Sequence, residues 1–343
     1  MTDKVIKVIE ISYFLCERRQ ITMNTDLEQS VKQFIECKNN IEKNIVLEYD
    51  FNLCISSLLS VRYEKKLESL KIKRYKNLMQ KKTKTFSNYR GIIGLPSATI
   101  LSFYESPEDI FDETIAVNKH LRKNGFKNSN YFSFALLQMG EKLTDLDAKT
   151  IEVRAANLYQ QMKKKYKVPT DALDYGYLCI LAEVERDGDE FAHKMDQLYR
   201  LAKNERMDSG NSALLAKILC LSNTENETLI KNAYSLYDKL KEQKIRFSDY
   251  FTGTYLGILT LLSENFEETV KNILEVNQTL RQKNGISTML SDKGQRMLYS
   301  ILLVILNLAK EKKDLDTTLK NELLDIAFAN AVSTGAGILS NFQ

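Results

Sequence analysis

Apolar and small residues recur along this chain in steps of four, three and four. Ile110, Thr114, Val117 and Leu121 form one such set, and Ile151, Ala155, Leu158 and Met162 a second. Phe191-Met195-Leu198-Ala202, Leu229-Ala233-Leu236-Leu240 and Thr269-Ile273-Val276-Leu280 follow in the same frame. That spacing lays one stripe along one face of an α-helix. A weaker set, Ile72, Tyr75 and Met79, lies upstream. After each stripe comes a run that is apolar around most of its circumference, such as "SNYFSFALLQM", "SDYFTGTYLGILTLL" and "SDKGQRMLYSILLVI". A helix of that kind is sandwiched between neighbours.

The anchors Val117, Leu158, Leu198, Leu236 and Val276 are separated by 41, 40, 38 and 40 residues. A period near 40 is the mark of a helical repeat. The expected fold is therefore all-α, a solenoid or curved superhelical array of stacked αα hairpins. Amphipathic first helices lie outside and more buried second helices inside, since one hairpin alone cannot bury its faces. The stretch "AVNKHLRKNGFKNSNYFSFALLQMG", residues 116–140, reads as one such hairpin, with Gly125 ending its first helix and Phe126 packing at the corner. Ser106-Pro107-Glu108-Asp109 reads as a helix start, and Ser129, Thr170, Ser248 and Ser291 as capping side chains. The expected layout is N-terminal helices over 23–105, five hairpins over 106–310 and a closing helix within 311–343.

Composition supports helices. Of 343 residues, 43% are hydrophobic and 27% charged, with 13 Gly and only 3 Pro, too few breakers for a many-turned β protein. Cys16, Cys37, Cys54, Cys179 and Cys220 are scattered, without a Cys-x-x-Cys, and read as reduced thiols. No run approaches the roughly 20 apolar residues that span a bilayer. Residues 1–22 are a poor signal peptide. "ERRQITM" allows a ribosome-binding-like coding sequence ahead of Met23, so 1–22 reads either as translated upstream sequence or as a short N-terminal extension.

Several elements also match a known family: Phe86-Ser87-x-x-Arg90-Gly91, the Leu-x-x-x-Gly-Phe break at 121–126, Leu236-Tyr237-x-x-Leu240 and the late "SDKGQRMLYSILLV". Together they resemble an uncharacterised bacterial family catalogued as domain of unknown function 4003, from about Met23 onward. The third unit departs, because "KNERMDSG" lacks the Gly-aromatic break. The resemblance implies a helical architecture and a bacterial cytosolic setting. It implies no activity, substrate or cofactor.

Chemistry is sparse. There are two histidines. His120 occupies a position that is mostly polar in the other units and reads as solvated. His193 sits in "DGDEFAH", where Glu190 and His193 share a helix face, but a di-iron bundle needs two such pairs. Asp187–Glu190 reads equally as an acidic helix start. Nucleophile elbows and phosphate loops are missing, and no cofactor is expected.

One segment stands out. Residues 62–90 hold 11 Lys/Arg and two Glu, a net of +9 in a chain of net +4, with Tyr63, Tyr75, Phe86 and Tyr89 interleaved. It reads either as a solvated face paired with the acidic remainder or as a dock for phosphates or an anionic membrane surface. The candidate anion contacts are Lys73, Arg74, Lys76 and Arg90, with Arg296 from the last hairpin. Three functions follow: a non-catalytic module holding a protein or peptide partner, a binder of nucleic acid or another anion through 62–90, and an enzyme with a pocket inside the array.

Overall fold

The computed structural model describes residues 23–46, 48–85, 87–140, 142–145, 147–166, 168–170, 174–203, 207–245, 252–282 and 293–340. Fifteen helices of at least eight residues account for most of it, with no strand among the described residues. The N-terminal group is α1 (Thr25–Asn44), α2 (Asp50–Tyr63), α3 (Ser69–Lys82) and α4 (Gly94–Leu101), with a 3-10 turn at Asn88–Arg90 before α4. Then come α5 (Pro107–Lys123) and α6 (Asn130–Met139), α7 (Ala148–Gln160) and α8 (Asp174–Leu181), and α9 (Gly188–Ala202) and α10 (Ser209–Leu219). Next are α11 (Asn226–Glu242) and α12 (Thr252–Leu262), α13 (Phe266–Gln282) and α14 (Lys293–Glu311), and finally α15 (Thr317–Ser340).

All twenty positions of the five stripes are buried, at 8% exposure or less. Each stripe turns α5, α7, α9, α11 or α13 toward the core. These five pack in succession, α5 on α7, α7 on α9, α9 on α11 and α11 on α13. The more buried even-numbered helices also pack on one another: α2 meets α4, α4 meets α6, α6 meets α8, α10 meets α12 and α12 meets α14. α14 in turn packs on α1 and α2, so the last hairpin reaches the first helices of the chain.

α15 lies against α2, α6, α8, α12 and α14. Its Leu323, Ile326, Phe328 and Val332 are buried. Polar groups from the even-numbered helices and the connections after them fix it. Arg62 pairs with Asp325 at 2.5 Å, and Arg186 places Nη2 2.5 and 2.7 Å from the two Glu322 oxygens. Gln138 donates to the Asp325 carbonyl at 2.9 Å, and the Tyr255 hydroxyl to that of Ala327 at 3.2 Å. Bonding both partners is what makes such buried charge tolerable. Glu183 pairs with Lys142. Burial, reinforced by the nearby Asp325 carboxylate, pushes Glu183 up to about 7, and its Oε1 has no partner among the described residues.

The turn at 121–126 follows a Schellman geometry. Gly125 adopts φ +97°, its N–H donates to the Arg122 carbonyl at 3.3 Å, and the Phe126 N–H donates to that of Leu121 at 3.1 Å. Phe126 is buried with its ring 4.9 Å from that of Tyr175. Ser129 caps α6 by accepting from the Phe132 N–H at 3.0 Å. Ser106 makes no side-chain cap bond; Pro107 and the acids Glu108 and Asp109 start α5 without it. Ser248 and Ser291 lie outside the described residues, and α8 begins at Asp174, beyond Thr170. Capping falls instead to Asn24, Asp147, Asp187 and Asp208, whose short side chains accept from the first-turn amides. The four described cysteines are unbonded, and Cys54, Cys179 and Cys220 are buried.

Candidate anion-binding cleft

The carboxyl end of α3, the 3-10 turn and the α5–α6 corner enclose a cleft of about 750 Å³. Its cationic lining comes from both sides. Lys82 and Lys84 belong to the basic segment, while Lys119, Arg122 and Lys123 stand on the last turns of α5. Positions 119, 122 and 123 are spaced i, i+3 and i+4, so their side chains share one helix face. Among the described residues no carboxylate lines the cleft. Lys82 pairs with Asp112 at 2.5 Å. Lys84, Lys119, Arg122 and Lys123 are exposed and make no ion pair among the described residues.

The remaining lining is mainly uncharged and polar. Asn88 Nδ2 donates to Ser133 Oγ at 3.1 Å, and Ser133 Oγ donates to Asn128 Oδ1 at 3.3 Å. The Tyr89 hydroxyl donates to the Ser133 carbonyl at 3.1 Å, which ties the 3-10 turn to α6. Burial pushes the Tyr89 phenol well above its ordinary range, so it stays a neutral donor. Asn118, only 8% exposed, also lines the cleft, and its Nδ2 has no hydrogen-bond partner among the described residues. An orphaned buried donor costs about 1–3 kcal/mol. A half-turn of the carboxamide exchanges its oxygen and nitrogen, so an acceptor in the cleft can recruit it.

Of the five residues proposed from sequence, none lines this cleft. Arg90 braces its wall. Its Nε donates to Thr83 Oγ1 at 3.2 Å, and its Nη2 donates to the Gln80 and Thr83 carbonyls, filling acceptors that the end of α3 leaves open. Arg74 pairs with Glu108 at 3.2 Å, and Lys76 pairs with Glu48. Lys73 is exposed. Arg296 stands on α14 and donates to Asn277 of α13 at 3.0 Å. Phe86 lies outside the described residues.

His120 lies 2.6 Å from Glu152 of α7, and His193 lies 3.0 Å from Gln197. Asp187 accepts from the Asp189 and Glu190 amides, as a helix start does. No group of three His, Cys, Asp or Glu side chains converges on a metal position among the described residues. No described helix is long and apolar enough to cross a membrane.

A family profile described as "Protein of unknown function (DUF4003)" matches residues 21–330. The chain belongs to this family. The matched span takes in α1 to α14 and most of α15, and so includes every wall of the cleft. No curated protein and no solved structure matches the chain.

Proposed function

We propose that this member of the DUF4003 family is a closed array of αα hairpins that binds an anionic ligand in the cleft between α3 and the α5–α6 corner. One observation carries the reading: among the described residues five cations and no carboxylate line the cleft, and four of those cations have no partner. Neighbouring like charges are costly unless a counter-charge arrives. A bland alternative assigns Lys119, Arg122 and Lys123 to the negative end of the α5 dipole. Lys84 on the facing wall and the orphaned amide of Asn118 belong to no such scheme, and both favour a ligand.

Closure of the array is supported by the packing of α14 on α1 and α2. It leaves α15 inside and directs ligands to the rim. A protein-interaction role has no surface feature of comparable definition behind it, and among the described residues no histidine, cysteine or carboxylate stands in the cleft to activate its serine and threonine hydroxyls for catalysis.

The test is titration of the protein with inorganic pyrophosphate at low ionic strength, beside a Lys119→Glu/Arg122→Glu variant. Micromolar to low-millimolar binding is expected, weakened at least tenfold in the variant and by added salt. Equal binding by both proteins contradicts the reading.

A further inference from the structure

The cleft has two chemically distinct sides, and their combination narrows the ligand. We infer that the anion is a compact phosphorylated polyol carrying two phosphate groups, such as a sugar bisphosphate, rather than a nucleic-acid strand. This rests on the anion-binding reading above.

Charge sets the phosphate count. A phosphate ester carries about −1.5 to −2 near neutral pH. Four unpaired cations, Lys84, Lys119, Arg122 and Lys123, therefore match two phosphates. They stand on two walls, α5 and the segment after α3, so the phosphates need not be adjacent.

The uncharged side fits hydroxyls. In the chain Asn88–Ser133–Asn128, each amide has one end engaged. The Asn88 Oδ1 acceptor and the Asn128 Nδ2 donor have no partner among the described residues. A free acceptor beside a free donor is the complement of hydroxyl groups, each of which donates and accepts.

A nucleic acid is poorly served. Sequence-tolerant binding of single strands relies on aromatic faces on which bases stack. The one described aromatic side chain in the cleft is Tyr89, which is 5% exposed, lies edge-on to Phe111 at 5.3 Å and 85°, and has its hydroxyl engaged with Ser133. A volume of about 750 Å³ falls in the range of small-molecule sites.

Calorimetric titration of the full chain with fructose 1,6-bisphosphate, fructose, inorganic pyrophosphate and a twelve-nucleotide oligouridylate tests the inference. Fructose 1,6-bisphosphate is expected to bind at least tenfold more tightly than pyrophosphate, with no binding of fructose. Asn128→Ala, at an exposed position, is expected to weaken the bisphosphate several-fold more than it weakens pyrophosphate. Pyrophosphate binding as tightly as the bisphosphate, or oligouridylate binding more tightly than either, overturns the inference and leaves the anion site standing. Failure of every anion to bind overturns both.

Discussion

Arg62 Nη2 lies 2.5 Å from Asp325 Oδ1, an ion pair that joins α2 to α15 across 263 positions of sequence. The side chains are 7% and 3% exposed. Burial is the largest single influence and works against the Arg62 charge, yet the Asp325 carboxylate together with the neighbouring Tyr63 and Tyr104 more than offsets it. Arg62 also donates to Gln138 Oε1 at 3.0 Å, while Gln138 donates to the Asp325 backbone. Arg62→Met leaves a buried carboxylate without its cation and is expected to cost about 3–5 kcal/mol in urea unfolding. Arg62→Met/Asp325→Leu is expected to recover most of that loss, because replacing both charges by apolar groups removes the stranded one.

Glu183 gives the stability a pH dependence. Its folded pKa is raised to about 7 against an ordinary value of 4.5, chiefly by burial. Between those values the native state holds a proton that the unfolded chain has released. This group's contribution therefore falls as pH rises through that window. Glu183→Gln is expected to raise the melting temperature at pH 8 more than at pH 5. Lys142, 42% exposed, returns to water without its partner. An equal shift at both pH values would show that Glu183 is ionised throughout.

Two glycines should respond to Ala for different reasons. At Gly125 an added Cβ meets nothing within 4 Å, so the cost of Gly125→Ala is the φ of +97° alone, about 1–2 kcal/mol. At Gly253 a Cβ would stand 2.0 Å from the Asn211 carbonyl oxygen, where α12 packs on α10. Gly253→Ala must push these helices apart, with an expected cost of about 1–3 kcal/mol or more. Chemical denaturation of both variants checks the ordering, and anion affinity should be unchanged in Gly253→Ala, which lies outside the cleft.

Much of the local structure is legible in the sequence. The four-three-four stripes mark the buried faces of five helices, and "LRKNGF" marks a glycine-ended corner with a buried aromatic, because both are set by residues within two turns of each other. The packing of α14 on α1 and α2 is not legible, since it depends on faces about 250 positions apart that carry no periodic signal. The cleft was half legible. The basic excess of 62–90 includes the Lys82 and Lys84 wall, but the named candidates Lys73, Arg74, Lys76, Arg90 and Arg296 all miss the cleft, and the cations of "NKHLRK" read only as part of a hairpin. Nothing local distinguishes cations that answer a helix dipole from cations that face a second basic wall. Arg90 illustrates the same limit: its charge suggests a ligand contact, and only the fold reveals that its donors serve the end of α3. Asn118 carries no sequence signal at all, being a polar residue beside a stripe.

Asn118 also supplies the most direct measurement. Asn118→Leu removes an orphaned buried amide and should stabilise the protein by about 1 kcal/mol. If the cleft holds an anion, the same change removes a donor that the ligand recruits, so pyrophosphate affinity should fall several-fold while the melting temperature rises. Opposite movement of the two quantities is the expected result. A more stable variant that binds pyrophosphate as tightly as the parent would contradict an anion site in this cleft.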